Sequence, residues 1–257
     1  KINDGYGPAY HKNKPQTELF HSKDALTGIS LYQTLSLFKG SRITVGIDYQ
    51  HIYGNAYYTD RETAETVTAM GRSGDNRGIQ GGCRHFNEVA GYVDVRQDLL
   101  QWLTVDAGIR YDHHSVAGGE WVPQGGLVFR PTATTLLKAT VGKGFRNPTL
   151  KEMYLYGSAS YSLSAERLMN YELAWKHRLL GGALAYGINA FYLKADNLVQ
   201  TVNRKNVNTG KIENWGVEAE LQWRINSHWL LSTNHSWRLM ANPVIAAPKY
   251  KGCRSAT

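Results

Sequence analysis

The sequence predicts an all-β protein, an antiparallel up-and-down transmembrane β-barrel of which about ten strands are present. Three observations lead to this fold class: apolar and polar side chains alternate along many segments, these segments come in pairs joined by short turns, and the pairs are joined mostly by long connections. No run of 18 or more apolar residues occurs in the 257 residues, which excludes an α-helical membrane protein. This criterion does not exclude a β-barrel, because the strands of a barrel wall alternate apolar and polar residues and so contain no long apolar run.

The first predicted hairpin shows the pattern. Residues 43–50 carry apolar side chains at odd positions and mostly polar ones at even positions, which is the period of a half-buried strand. Residues 29–37 alternate in the same way, and Lys39-Gly40 separate the two segments, so we predict a hairpin. Four more hairpins follow: 89–96 with 103–112 (turn at 100–102), 120–130 with 134–145 (turn at Pro131), 168–179 with 183–196 (turn at Gly181-Gly182), and 213–224 with 228–240 (turn at Asn226-Ser227).

The connections between the hairpins are predicted to be longer than the turns. They lie at residues 53–85, 115–119, 146–167 and 197–212, of which 115–119 is the weakest example. Short turns on one side and long loops on the other are typical of an outer-membrane barrel, with periplasmic turns and extracellular loops. A β-sandwich is the alternative fold, but a sandwich is not expected to place short connections at one end of its strands and long connections at the other.

The segment 213–224 indicates what each face of the wall would meet. Trp215 and Trp223 share a face and bracket three apolar residues, as expected for aromatic girdles beside a lipid-facing band. The opposite face carries charges, and a Lys or Arg at the bilayer midplane costs about 2–4 kcal/mol, so this face is predicted to line a polar lumen. The charged residues predicted to face the lumen are Asp48, Asp94, Arg96, Asp106, Arg110, Lys138, Glu172, Lys176, Glu218, Glu220 and Arg224.

Charge and motif content exclude several function classes. The net charge is +8, but the basic residues are spread singly, whereas a nucleic-acid footprint is clustered; we therefore expect no nucleic-acid partner. Cys83 and Cys253 fit neither a disulfide framework nor a zinc pattern. No Gly-x-Ser-x-Gly, His-Glu-x-x-His or phosphate loop occurs, and an Asp112-His113 dyad fails because adjacent strand residues face opposite ways. We predict no enzyme, no cofactor and no resident metal.

Histidines cluster at the rim that is predicted to be extracellular. His51 ends one strand, His85 begins the next, and His113-His114 end the strand after that. Since these strands are consecutive, His51, His85 and His113 are candidates for contact with a ligand that an imidazole can bind, such as a metal or haem. The alternative is that they are amphipathic residues of the membrane interface. At most one of His113 and His114 faces the lumen, because neighbours in a strand point to opposite sides.

The segment around Pro148 is expected to end a strand and start a short helical turn. Pro148 disfavours a helical Asn147 and cannot donate a backbone hydrogen bond. Thr149, with Glu152 three residues later, predicts a capping box. Arg146 would then lie at the lumen mouth, where it is a candidate contact for an anionic ligand; the alternative role is a structural anchor.

Residues 141–177 resemble the barrel of TonB-dependent outer-membrane receptors. In that family a strand ends in Gly-Phe-Arg-x-Pro-Thr/Ser-Leu-x-Glu-Leu/Met-Tyr, and after an extracellular loop the next strand begins with Leu-x-Pro-Glu-x-x-x-Asn-Tyr-Glu-Leu-Gly. The matching residues here are Gly144, Phe145, Arg146, Pro148, Thr149, Leu150, Glu152, Met153 and Tyr154, followed by Glu166, Asn170, Tyr171, Glu172 and Leu173. Two further stretches look similar to the family, 191–199 and 208–218, the second with Asn214, Trp215 and Gly216. Residues 160–165 depart from the family pattern.

The resemblance implies an outer-membrane receptor of a Gram-negative bacterium that takes up a scarce nutrient such as a ferric siderophore, haem or cobalamin. The implied partners are outer-membrane lipid, a plug domain of the same full-length protein, a TonB-type energy-transducing protein that acts through an N-terminal part, and the small nutrient ligand. A passive porin is the alternative, and a barrel-type protease or phospholipase ranks below it.

The resemblance also predicts how much of a receptor is present. Transporters of this kind have 22 strands, so residues 1–245 are predicted to be a portion of the barrel and residues 246–257 a truncated or atypical tail. An isolated wall of ten strands would have two unpaired edges, and we expect that it does not insert stably by itself.

Overall fold

The structure, a computed structural model, describes residues 18–64, 66–67, 83–154 and 158–241. Its strands are β1 (Glu18–Leu35), β2 (Ser41–Asp60), β3 (Thr66–Val67), β4 (Arg84–Leu100), β5 (Leu103–His114), β6 (Gly118–Thr132), β7 (Thr135–Arg146), β8 (Glu166–Leu179), β9 (Leu184–Val202), β10 (Lys205–Arg224) and β11 (Leu230–Ala241). A five-residue helix, α1 (Leu150–Tyr154), and a 3-10 turn (Leu180–Gly182) complete the elements. In this part of the chain no helix is long and apolar enough to cross a membrane.

The strands form a single sheet whose order follows the chain. It runs β1-β2-β4-β5-β6-β7-β8-β9-β10-β11, and the short β3 pairs with β2. All of these pairs are antiparallel. The five predicted hairpins and the ten predicted strands are confirmed, and the up-and-down order leaves no second sheet for a sandwich among the described residues.

One edge of the sheet, the turn edge, carries the short connections 36–40, 101–102, 133–134, 180–183 and 225–229. Four of the five turns lie where they were predicted. The turn predicted at Pro131 was misplaced, because Pro131 lies inside β6, where the β6–β7 register shifts between Phe129 and Thr132. Such an irregularity accommodates a proline. The chain turns after Thr132, whose Oγ1 accepts hydrogen bonds from the backbone N–H of Thr134 (3.3 Å) and Thr135 (3.1 Å).

The opposite edge, the loop edge, carries the connections 61–83, 115–117, 147–165 and 203–204. Residues 65 and 68–82 of the first connection and residues 155–157 of the third lie outside the described residues. The name loop 147–165 therefore refers to residues 147–154 and 158–165. The long loop predicted at 197–212 was wrong, because β9 continues to Val202 and β10 starts at Lys205. Asn203 and Arg204 make the turn with φ of 49° and 62°, the left-handed conformation that a two-residue hairpin turn requires.

Alternation and register divide the sheet into two faces. We call the face onto which the loop 147–165 folds the inner face, and the opposite one the outer face. The eleven charged residues that were predicted to share the lumen side all lie on the inner face, as the pairs Asp94 with Gly108 and Arg96 with Asp106 illustrate. Large apolar side chains are exposed on the outer face, among them Ile29, Leu31, Ile47, Val89, Leu173, Trp215, Trp223 and Trp237.

Candidate functional site: the loop folded onto the inner face

The loop begins as the local sequence predicts. β7 ends at Arg146, and Pro148 separates it from α1. The Thr149 N–H donates to Glu152 Oε2 (2.8 Å), and the Glu152 N–H donates to Thr149 Oγ1 (3.2 Å). These two reciprocal hydrogen bonds confirm the capping box.

Arg146 joins the loop to both neighbouring strands. Its Nη1 and Nη2 donate to the two carboxylate oxygens of Glu152 at 3.0 and 2.9 Å, and its Nε donates to Glu166 Oε2 at 2.6 Å. A planar guanidinium is suited to donating two parallel hydrogen bonds to one carboxylate. Arg146 is thus an anchor between the end of β7, α1 and the start of β8, and its predicted contact with an anionic ligand stays a prediction.

The same hydrogen bonds set the charge of Glu152. Burial by itself would raise the pKa of the Glu152 carboxyl, but the hydrogen bonds from Arg146 and from Thr149 outweigh burial and hold that pKa below its ordinary value. Glu152 is therefore a carboxylate near neutral pH, and the charge-assisted pair with Arg146 is maintained.

An apolar cluster holds α1 against the sheet. Met153 is fully buried, and it packs with Phe86 of β4 and Leu163 of the loop. Leu150 lies directly over the backbone of β2, since a Cβ at Gly54 would approach Leu150 Cδ1 to 2.5 Å. Burying a methionine side chain stabilises a fold by about 1.5–3 kcal/mol, so this cluster fixes the loop on the inner side of β2 and β4.

Tyr154, at the end of α1, adds aromatic contacts to this cluster. Its ring centroid lies 5.9 Å from that of Phe86 and 5.1 Å from that of Tyr161. The guanidinium carbon of Arg84 lies 5.0 Å from the Tyr154 ring, a distance typical of a cation–π contact.

Amide side chains hold the far end of the loop. Asn206 of β10 donates through Nδ2 to the Glu152 carbonyl (2.9 Å), and its N–H donates to the Ser158 carbonyl (2.7 Å). Asn208 forms two hydrogen bonds with the backbone of Ser164, both of 2.9 Å. The loop therefore contacts β2 and β4 through α1 and the apolar cluster, and β10 through Asn206 and Asn208.

The three predicted histidine candidates all lie on the outer face. His51 and His85 come together on the outer face, where their rings stack with centroids 5.7 Å apart. His113 lies on the same face, opposite Val89 of β4. The described part of the chain holds no group of three His, Cys, Asp or Glu residues able to bind a metal ion. Contact of these histidines with a ligand stays a prediction.

His114, which was not a candidate, lies on the inner face and is 1% exposed. Its Nδ1 accepts hydrogen bonds from the N–H groups of Val116 (3.1 Å) and Ala117 (2.8 Å), so the proton of the neutral ring is on Nε2. Its ring packs edge-on against Phe86, with centroids 4.6 Å apart. His114 thus shapes the turn at 115–117 and supports the apolar cluster.

Charged side chains on the inner face pair across strands. Arg110 forms ion pairs with Asp112 (2.8 Å) and with Asp48 two strands away, passing over the ring of Tyr92. Lys176 and Glu220 pair at 2.6 Å across Gly187 of β9. Exposed pairs of this kind contribute about 0.2–1 kcal/mol each. The face is a polar surface whose charges are partly satisfied by one another.

The remaining motif residues divide between the faces. Gly144, Asn170, Glu172, Asn214 and Gly216 lie on the inner face, whereas Phe145, Tyr171 and Trp215 lie on the outer face. Asn170 donates to Glu172 Oε1 at 2.7 Å. Gly216 makes room for an aromatic ring, because a Cβ there would lie 2.8 Å from Phe191 Cζ. Some residues of the family motif, such as Gly216, therefore serve the packing of side chains on the sheet.

The sequence analysis did not identify the residues that hold the loop, although alternation is enough to place two of them on the correct face. Phe86 and His114 occupy even positions, so alternation alone would have assigned them to the inner face. Nothing near Asn206 or Asn208 marks them as partners of a loop more than forty residues away.

Comparisons with known proteins agree with this architecture. The family model described as TonB dependent receptor-like, beta-barrel matches residues 2–252. A curated relative, the ferric enterobactin receptor of Pseudomonas aeruginosa, is 25% identical over 183 residues, which cover 63% of this chain and 24% of that protein. This chain thus spans about a quarter of the relative's length.

Solved structures share the fold. The siderophore receptor PirA from Acinetobacter baumannii superposes with a TM-score of 0.70 at 14% identity, over 91% of this chain and 39% of that one. PirA from Pseudomonas aeruginosa gives a TM-score of 0.65 at 19% identity, over 87% and 44% of the two chains. The FrpB iron transporter from Neisseria meningitidis gives a TM-score of 0.64 at 17% identity, over 86% of this chain and 36% of that one.

The match to the family model extends over nearly the whole chain, and the ten-stranded antiparallel wall is the fold that the family model describes. The chain therefore belongs to the TonB-dependent receptor β-barrel family, whose members are receptors and not enzymes.

Proposed function

We propose that this chain forms part of the wall and loops of an outer-membrane receptor that imports a small, scarce nutrient with energy from a TonB-type protein. The observation that carries the proposal is the two-sided sheet. Its inner face holds cross-strand ion pairs and a folded loop, while its outer face exposes apolar side chains. A wall of this kind separates lipid from a polar interior.

The outer face supports the proposed location in the outer membrane of a Gram-negative bacterium, with many strands crossing the lipid. Trp215 and Trp223 are 47% and 39% exposed on that face, and aromatic rings favour both borders of a membrane. In this placement the turn edge lies toward the periplasm and the loop edge toward the exterior.

The inner face supports two further partners. Its ion pairs and amides offer hydrogen bonds to a plug domain of the same full-length protein, and Glu172 and Glu218 are among the carboxylates available on this side. A TonB-type protein would act on such a plug through an N-terminal part of the full-length protein. The loop 147–165 covers the inner face near the loop edge, where a nutrient would arrive.

A ferric siderophore is the proposed cargo, ahead of haem and cobalamin. The names of similar proteins support this choice, since they include a ferric enterobactin receptor and two siderophore receptors. Iron uptake by a receptor of this kind needs both the ligand path inside the wall and energy from the inner membrane.

Growth of an iron-starved Gram-negative host tests the proposal. The full-length protein is expressed in a host that lacks its own siderophore receptors, and ferric enterobactin is supplied as the iron source. We expect growth in the presence of a functional TonB-type protein and none in its absence. Haem is supplied in parallel as the iron source, and cobalamin is supplied separately to a host that needs external cobalamin for growth, so that each cargo has its own readout.

Growth that does not depend on the TonB-type protein would contradict energised import and favour a passive porin. An ion conductance through planar bilayers that stays open without energy would favour the porin in the same way. Failure of the protein to reach the outer membrane would contradict the proposed location.

A further inference from the structure

We propose that His114 is a pH-sensitive switch, in which a proton gained by its buried imidazole opens the turn 115–117 and releases the loop 147–165 from the inner face. His114 is the last residue of β5, at the loop edge, which the proposed location places outside the lipid. The opening depends only on the folded sheet. Its use, to uncover the inner face where a nutrient would arrive, rests on the proposed function.

The Nδ1 atom of His114 is an acceptor that cannot gain a proton without losing its hydrogen bonds. The N–H groups of Val116 and Ala117 donate to it at 3.1 and 2.8 Å. An imidazolium ion is a donor at both ring nitrogens. A proton on Nδ1 would therefore face two backbone N–H groups, and the two hydrogen bonds that His114 gives the turn 115–117 would be lost.

The other ring nitrogen offers the added charge no hydrogen bond either. The neutral ring carries its proton on Nε2, and this buried atom has no hydrogen-bond partner among the described residues. The Glu88 oxygen Oε1 lies 3.8 Å from Nε2, which is too long for a hydrogen bond. The same oxygen already accepts a hydrogen bond of 2.9 Å from Asn147 Nδ2. A charged His114 would thus be buried without a hydrogen-bonded partner, which is costly.

The surroundings of the ring are apolar. His114 is 1% exposed, and its ring packs edge-on against Phe86 with centroids 4.6 Å apart. Burial disfavours the imidazolium form and holds the pKa of His114 below its ordinary value, although the Glu88 carboxylate acts in the opposite direction and His113 in the same one. The closed structure therefore favours the neutral ring.

Charged groups on the neighbouring elements are mostly engaged with one another. They are Arg84 and Glu88 on β4, Asp112 and His113 on β5, Glu120 on β6, and Glu152 on α1. Asp112 pairs with Arg110, Glu120 with Lys143 and Glu152 with Arg146. Carboxylic acids ordinarily titrate near pH 4 and imidazoles near about pH 6.5, so an imidazole is the kind of group that gains charge between about pH 7.5 and pH 5.5.

The two residues of β4 that His114 faces also hold the loop 147–165. Phe86 packs against Met153 and Leu163, and Glu88 binds Asn147, the first residue of the loop. A charged ring that moves out into water leaves Phe86 without one of its packing partners. Protonation of His114 is therefore coupled to both the turn 115–117 and the loop 147–165.

The sign of the pH dependence follows from the direction of the pKa shift. Above the ordinary pKa of about 6.5 the ring is neutral in the closed and the open state, and the closed state has its full stability. As the pH falls below that value, the open state binds a proton that the closed state resists. The open fraction should therefore rise, by up to about tenfold between pH 7.5 and pH 5.5 if the closed ring stays neutral.

Hydrogen exchange of the full-length protein in detergent tests the inference. Rates are measured from about pH 7.5 to about pH 5.5 and divided by the intrinsic rate at the same pH, which removes the pH dependence of exchange itself. Protection of the Ala117, Met153 and Asn206 N–H groups should fall by up to about tenfold. Protection of the Trp229 N–H, which binds Asn226 at the turn edge, should not change.

Two variants at adjacent positions separate His114 from other histidines. His114→Asn keeps an oxygen acceptor close to the place of Nδ1 but does not titrate, so the loss of protection on acidification should disappear. The matched control His113→Asn changes the neighbouring residue on the outer face and should keep the loss. If the loop of His114→Asn is already open at about pH 7.5, nitrogen NMR of labelled histidine in the unaltered protein decides the question. It should show His114 protonated on Nε2, with a titration midpoint below about 6.5 that coincides with the loss of protection.

The outcomes distinguish this inference from the proposed function. Protection that stays constant, or that rises on acidification as an ion pair of His114 with Glu88 would make it, overturns the switch. A loss of protection that persists in folded His114→Asn, or a His114 midpoint that differs from that of the opening, overturns it as well. TonB-dependent growth is a separate readout, so import stands if the switch fails, and the switch stands if import fails.

Discussion

The turn edge and the loop edge of this sheet are stabilised over very different distances along the chain. At the turn edge, Thr132 binds the backbone of Thr134 and Thr135, and Asn226 Oδ1 accepts the N–H of His228 and Trp229, both at 2.9 Å. At the loop edge, Asn147 binds Glu88 at 2.9 Å across 59 residues of sequence.

The difference shows which part of this wall depends on tertiary contacts. A turn closed by its own residues forms wherever its sequence stands, because the partners are already neighbours. The loop 147–165 must find Phe86, Asn206 and Glu166, which lie on three different strands. It forms a small packed structure on a sheet that otherwise exposes both faces.

The largest expected effect comes from Met153, the centre of the loop-edge cluster. Met153→Ala removes a fully buried side chain and should lower the free energy of opening of the loop 147–165 by about 2–5 kcal/mol. Hydrogen exchange of the Met153 and Asn206 N–H groups measures this opening. The matched control Leu180→Ala changes a residue that is 70% exposed at the turn edge and should leave the loop unaffected; equal effects of both variants would remove the contrast between the edges.

A smaller effect is expected from Arg146, which anchors the loop by charge. Arg146→Gln removes its hydrogen bonds to Glu152 and Glu166 and should destabilise the folded loop by about 1–2 kcal/mol, since the pairs are partly exposed. Arg146→Lys retains the charge without the fork and should have an intermediate effect. Limited proteolysis within 147–165 measures both, and wild-type resistance in Arg146→Gln would contradict the anchoring role.

Acidification should loosen the same anchor. The pKa of Glu152 is held below its ordinary value in the folded loop, so its contribution is complete above the unfolded pKa of about 4.3 and is lost as the pH falls through the folded pKa. Protease sensitivity of the loop, measured between about pH 6 and pH 3, should rise over this range. Glu152→Gln should show a smaller step, because Glu166 also binds Arg146 and its pKa is likewise held below its ordinary value. An identical acid response in both proteins would assign the whole step to other carboxyls.

The smallest effect is expected at the turn edge. Thr132→Ala removes the acceptor for two backbone N–H groups and should cost about 0.5–1 kcal/mol locally. Faster hydrogen exchange should be confined to residues 132–135, with the loop 147–165 unchanged. A change that reached the loop would mean that the two edges are coupled.

Much of the wall was predictable because its causes are local. Alternation has a period of two in any strand, so residues 43–50 and 213–224 indicated both faces before any contact was known. Gly181-Gly182 and Asn226 marked turns by their own chemistry, and Thr149 with Glu152 marked the start of α1.

The misplaced features have causes that are not local. The stretch 197–212 contains polar residues and resembles a loop, yet it pairs as an extended hairpin because Asn203-Arg204 adopt positive φ and the loop 147–165 binds its side through Asn206 and Asn208. Pro131 resembles a turn residue, but a register shift keeps it within β6.

The sequence by itself determined the strands, their pairing order and the sorting of charged and apolar residues onto two faces, because period-two alternation and short turns act over a few residues. Only the tertiary structure decided that the loop folds inward, that Arg146 is an anchor, and that His51, His85 and His113 share the outer face while His114 is buried. Those outcomes depend on strands that meet only after the sheet has formed, and the buried area and hydrogen bonds they gain are not encoded near the residues themselves.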